Sequence, residues 1–73
     1  MPIINHVRKF RRRLGMTQDE LSQKADIGRS TISNIETGRY IPGVDVALRL
    51  AHALGKIVDD LFEIEGVKRD DGR

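Results

Sequence analysis

Apolar residues recur along this chain at spacings of three and four, in stretches punctuated by glycine and proline. That period belongs to α-helices. A first helix is predicted over residues 5–14, with Val7, Phe10 and Leu14 on one face and Gly15 behind it as a C-cap. A second is predicted over 17–25. It opens T-Q-D-E, a capping box in which the Thr17 hydroxyl accepts a first-turn N–H and the Glu20 carboxylate accepts the N–H of Thr17. A third is predicted over 29–37, with Ile32 and Ile35 as its core pair, and Pro42 in the following R-Y-I-P-G prevents any continuation. A fourth is predicted over 44–54, with Val44, Ala47, Leu48, Ala51 and Leu54 inward, and a short fifth over 58–62 supplies Val58, Leu61 and Phe62. The segment L-F-E-I-E then alternates apolar and acidic, as a short strand would, and the apolar P-I-I near the N-terminus is a partner for it. Residues 66–73, G-V-K-R-D-D-G-R, are expected to be a frayed, disordered tail.

Five short helices with connections of two to six residues make a compact all-α domain, expected over residues 1–65. A chain of 73 residues buries a marginal core and draws help from helix caps or from dimerisation. The absence of Cys removes disulfides and thiolate metal sites. No signal-peptide pattern opens the chain, and no apolar run approaches the ~18 residues of a membrane span, so a cytoplasmic location is expected, with no membrane partner.

The turn A-D-I-G-R-S at residues 25–30 joins the second and third helices through about three residues. Helices joined so tightly cross steeply, as in a helix-turn-helix. Such a turn needs one residue at positive φ, and Asp26 tolerates the left-handed region better than most non-glycine residues. Ile27 then tucks between the helices, and Gly28 serves as a permissive but weak N-cap, unless Gly28 takes the strain in place of Asp26 and shifts the start of the third helix, a choice that the sequence leaves open.

A helical wheel of the third helix separates a core side from a polar side. With Ile32 at zero, the buried direction lies at about 330°, while Ser33, Thr37, Ser30 and Asn34 spread over about 100–200°. In a chain that is 33% charged, an outward face of short, uncharged, hydrogen-bonding side chains is unusual. It suits entry into the major groove of DNA, where a carboxylate would oppose phosphates. Arg29, at the leading edge, can reach guanine bidentately or grip a phosphate. Glu36 falls beside the buried stripe, and so does Arg11 on the first helix, so an Arg11–Glu36 ion pair is expected to tie the two together. Lys9 and Arg12 point further out, as phosphate contacts or as solubilising charge.

Charge is distributed unevenly. Residues 1–40 carry eight Lys/Arg against four Asp/Glu, and residues 41–73 carry five against seven, within a formal net charge of +2. A basic first half is consistent with a polyanion partner.

The stretch M-T-Q-D-E-L-S-Q-K-A-D-I-G-R-S-T-I-S-N-I-E-T-G-R-Y-I-P, continued by A-L-R-L-A-H-A-L-G and D-D-L-F, resembles the Cro/phage-repressor type of helix-turn-helix regulator, also called the xenobiotic-response-element family. Small stand-alone bacterial repressors of the cytolysin-repressor kind are the most similar members. The resemblance implies a five-helix lambda-repressor-like domain and assigns roles to matching positions. Gln18 would bond a backbone phosphate at a helix N-terminus. Arg29, Ser30, Ser33 and Asn34 would line the groove, and Thr37, Arg39 and Tyr40 would grip phosphates. Arg11 and Glu36 match the family's helix-tying pair. The chain departs from the family pattern at Asp26, where glycine is usual, at Gly28 and Gly43, where Ser or Thr often caps, and at K-I-V near residue 57.

No Gly-rich phosphate loop or nucleophile motif is present, and His6 and His52 stand without partners at metal-ligand spacing, so neither an enzyme nor a metal or other cofactor is expected. No second domain for a small-molecule effector is expected. The implied function is a sequence-specific, double-stranded-DNA-binding transcriptional regulator, a repressor acting as a homodimer on a near-palindromic operator. Ile3, Ile4, Ile57, Phe62 and Ile64, apolar residues outside the five-helix core, are the expected dimer surface. The alternatives are a controller protein of a restriction–modification operon and an antitoxin paired with a toxin.

Overall fold

The computed structural model describes residues 2–67. Its elements, in order, are β1 (Ile3–Asn5), α1 (Val7–Arg13), α2 (Gln18–Ala25), α3 (Arg29–Glu36), α4 (Val44–Leu54), α5 (Val58–Leu61) and β2 (Phe62–Ile64). Five helices surround one core built from Val7, Leu21, Ala25, Ile27, Ile32, Ile35, Leu50, Ala51, Ala53, Leu54 and Leu61, against which Phe10, Met16, Val46, Val58 and Phe62 pack. Of the tail expected at residues 66–73, all but Gly66 and Val67 lie outside the described residues.

The two strands close the fold. β1 and β2 pair antiparallel with Ile3 opposite Ile64 and Asn5 opposite Phe62. The ladder is prolonged by the Glu65 N–H donating to the Pro2 carbonyl (3.0 Å), and the His6 N–H donates to the Leu61 carbonyl (2.7 Å). This pairing shifts two helix boundaries from their expected positions. Asn5 belongs to the sheet, so α1 begins at Val7, and Phe62 adopts extended backbone (φ −133°, ψ 135°), so α5 ends at Leu61. The Asn5 amide also donates to the Ile35 carbonyl at 3.1 Å, which ties the sheet to the last turn of α3.

Two apolar expectations shift inside the helices. Leu14 is 55% exposed because α1 stops at Arg13 and the chain turns away, and Arg11 takes the inward position instead. In α4, Val44 and Leu48 are 77% and 56% exposed, while Leu50 and Ala53 are buried. The buried stripe is rotated by about 60° from the one read on the wheel. α4 is apolar around much of its circumference, so periodicity leaves its inward face ambiguous and packing against α2 and α5 decides it.

Candidate nucleic-acid interface

The α2–α3 turn is built on Asp26, which sits in the left-handed region (φ 56°, ψ 52°), while Gly28 has φ −58°. The left-handed conformation therefore falls on the aspartate. Local bonds hold it there. The Ile27 N–H donates to the Ser22 carbonyl (3.1 Å), and the Ser22 hydroxyl donates back to the Ile27 carbonyl. From α4, the Arg49 Nη1 donates to the Asp26 carbonyl (3.1 Å). Ile27 is buried, as the pin between the helices. At the other end of α2 both halves of the capping box form, with Glu20 N–H to Thr17 Oγ1 at 3.0 Å and Thr17 N–H to Glu20 Oε1 at 2.8 Å. Gly28 offers no side-chain cap to α3.

α3 presents its outward side as the wheel places it. Ser30, Asn34 and Thr37 are exposed and Ser33 half-buried. Together with Gln18 and Arg29, the residues Ser30, Ser33 and Asn34 line an open depression of about 290 Å³. The Thr37 hydroxyl donates to the carbonyls of Ser33 (3.0 Å) and Asn34 (3.3 Å), which leaves its oxygen free to accept. The N–H groups of Arg39 and Tyr40 both donate to the Asn34 carbonyl (2.8 and 3.2 Å), folding the segment after α3 back against it with both side chains exposed.

Behind this face, Glu36 collects four donors. Arg11 donates from Nε to Oε2 (2.7 Å) and from Nη2 to Oε1 (3.1 Å). Gln18 Nε2 and Arg8 Nε donate to Oε1 at 3.0 and 3.3 Å. The remaining Arg11 nitrogen, Nη1, donates to the Met16 carbonyl (2.8 Å). The Glu36 side chain is fully buried, and Arg11 is 10% exposed. Burial pushes the Glu36 carboxyl up, but the hydrogen bonds from Arg11, Gln18 and Arg8, with the Arg11 charge, outweigh it and leave the group below the usual carboxylate range. The hydrogen bond to Glu36 holds Arg11 above its ordinary value. The amide of Gln18, read from sequence as a phosphate ligand, is thus engaged inward, with one of its two N–H bonds on Glu36. The sequence reading did not include Arg8 or the Met16 carbonyl in this cluster; Arg8 lies one position before Lys9 and shares the Arg11 side of α1 only at helical spacing.

Another residue absent from the sequence reading is Asp19. Its Oδ1 lies 3.4 Å from Arg29 Nε, in an exposed pair that bridges the first turns of α2 and α3. The expected dimer residues divide. Ile4, Ile57 and Ile64 are 40%, 57% and 43% exposed, whereas Ile3 and Phe62 are half-buried. Ile3 and Phe62 line an apolar groove of about 410 Å³ together with Ile41, Val44 and Leu48.

A helix-turn-helix whose second helix carries an exposed, uncharged polar face has known counterparts. The family described as helix-turn-helix matches residues 7–61. The chain belongs to this family. It is a DNA-binding helix-turn-helix transcriptional regulator. An HTH-type transcriptional regulator of Methanothermobacter thermautotrophicus is 40% identical over 60 residues, covering 81% of this chain and 87% of that one. The HTH-type regulator YgzD of Bacillus subtilis is 33% identical over 61 residues, covering 84% and 92%. Among solved structures, the clp gene regulator ClgR of Corynebacterium glutamicum superimposes with a TM-score of 0.69 at 31% identity. That match covers 74% of this regulator and 57% of the ClgR chain. Among the described residues, no helix is long and apolar enough to cross a membrane.

Proposed function

We propose that this regulator is a repressor of the Cro/phage-repressor kind, binding a near-palindromic operator as a homodimer and acting by covering promoter DNA. The observation that carries the reading is the face of α3, where exposed Ser30 and Asn34, half-buried Ser33 and Arg29 border one open depression while the helix's sole acid is turned inward and paired. Small hydrogen-bonding side chains without a carboxylate fit the major groove, and an arginine at the leading end of the helix can read guanine. Thr37, Arg39 and Tyr40 follow at the end of the same helix, where they can grip phosphates and set position rather than sequence preference. Residues 1–65 act as a single binding domain. The protein works by occupying DNA, with no reaction and no cofactor.

Two copies are needed because half-sites repeat every helical turn, about 34 Å. A protomer of 36 × 23 × 21 Å is the right size to place recognition helices that far apart when two copies meet side to side. Exposed Ile4, Ile57 and Ile64, together with Ile41, Val44 and Leu48 beside the groove lined by Ile3 and Phe62, supply an apolar surface for that meeting.

The test is selection of bound fragments from the genome that carries this gene, at two salt concentrations. The expected result is a palindrome enriched at both, with affinity falling steeply as salt rises. A flat salt response with no enriched palindrome refutes the reading.

A further inference from the structure

We infer that Asp19 is a positioning residue for sequence readout: it holds Arg29 by Nε so that the guanidinium presents its two terminal nitrogens to guanine rather than to a phosphate. The inference rests on α3 being the base-reading helix. Asp19 Oδ1 and Arg29 Nε lie 3.4 Å apart, with both side chains about two-thirds exposed, at 68% and 65%. The closest approach of this ion pair is at Nε. Arg29 also borders the depression lined by Ser30, Ser33 and Asn34. Bidentate recognition of guanine O6 and N7 requires two parallel N–H donors on one edge of the guanidinium. An ion pair that approaches the guanidinium at Nε favours leaving the Nη1/Nη2 edge for that purpose.

A carboxylate here has a cost for affinity. Facing DNA, it offsets the Arg29 charge and repels phosphates, so an arginine meant to clamp the backbone would be better without it. An orienting role accounts for its presence. Arginine loses long-side-chain freedom when it docks, and a partner that holds it beforehand reduces that loss. The first turn of α2 thereby supports α3 at both ends. Gln18 donates to Glu36, the last residue of α3, while its neighbour Asp19 pairs with Arg29, the first.

The experiment is a randomised half-site selection with wild type, Asp19→Asn, Arg29→Ala and the double variant, with melting curves to confirm folding of these exposed substitutions. Wild type is expected to prefer guanine at one outer position of each half-site. Arg29→Ala removes that preference. Asp19→Asn weakens it by about fivefold or more at the same position. It also steepens the salt dependence by about one phosphate as Arg29 turns to the backbone. In the Arg29→Ala background, Asp19→Asn changes the base preference no further, because that effect passes through Arg29, and only a general gain in affinity from the lost carboxylate remains. An unchanged guanine preference in Asp19→Asn overturns the inference, as does an effect of Asp19→Asn on base preference that persists without Arg29. A wild-type selection that enriches no base at any position overturns the base-reading role of α3, and the inference with it.

Discussion

Arg11 and Glu36 are joined by two parallel hydrogen bonds, Nε to Oε2 at 2.7 Å and Nη2 to Oε1 at 3.1 Å, from the middle of α1 to the last residue of α3. The pair fixes the C-terminal end of α3, the helix whose outward face is the proposed DNA-reading surface. Arg11 cannot be replaced by the outer arginine, since Arg8 reaches the same carboxylate with only its Nε, at 3.3 Å, and is 45% exposed. Removing one member of a buried pair costs roughly 3–5 kcal/mol, and removing an exposed partner costs under about 1. Arg11→Ala is therefore expected to lose most of the stability of so small a domain, whereas Arg8→Ala melts within a few degrees of wild type. Thermal unfolding followed by circular dichroism separates the two.

The same pair sets an acid limit. Folded Glu36 titrates below its ordinary value because its hydrogen bonds and the Arg11 charge outweigh burial. An unfolded glutamate titrates near about 4.3. As pH falls, the unfolded chain takes up the proton first. The stability contributed by the ionised group is fully present above the unfolded value and is lost as pH falls through it to the lower folded one. Urea midpoints measured from pH 7 to pH 3 are expected to decline through this window. Glu36→Gln should start lower at pH 7 and show a shallower decline.

The α2–α3 turn can be improved at two adjacent positions. Asp26 carries the left-handed conformation at φ 56°, which glycine adopts without steric cost. Asp26→Gly is expected to be neutral to stabilising by about 0.5 kcal/mol, and Asp26→Val to destabilise by more than about 1. At Gly28 a side chain would meet only Thr31 Oγ1, at an ordinary 3.8 Å. Gly28→Ser should cap α3 and raise the melting temperature by a few degrees. A drop in melting temperature for Gly28→Ser would show that position 28 needs glycine's freedom after all.

The apolar surface is tested where exposure, not core packing, dominates. Phe62 packs against the core, so a charge there would disturb the fold itself. Leu48 is 56% exposed beside the groove. Leu48→Glu is expected to shift sedimentation from dimer to monomer and to weaken operator binding by at least about tenfold, with helix content unchanged. A variant that sediments as the wild type does would move the two-fold contact to another face.

Much of this regulator was legible in local rules. The T-Q-D-E capping box, the positive φ at Asp26, the helical period of α3 and its division into an apolar and a polar side all follow from backbone sterics and hydrogen-bonding capacity within a few residues. Even the approach of Arg11 to Glu36 could be read from two wheels, because each residue borders a buried stripe. What the sequence left open depended on contacts between elements. Asn5 could extend α1 or join a strand, and pairing with Phe62 chose the strand. α4 offered several apolar faces, and packing buried Leu50 and Ala53 while leaving Val44 and Leu48 outside. Gln18 and Asp19 are adjacent in the chain, yet one turns in to Glu36 and the other forward to Arg29. No period in the sequence encodes that division. It arises from the crossing of α2 over α3, because only the assembled fold brings the first turn of one helix against both ends of the other.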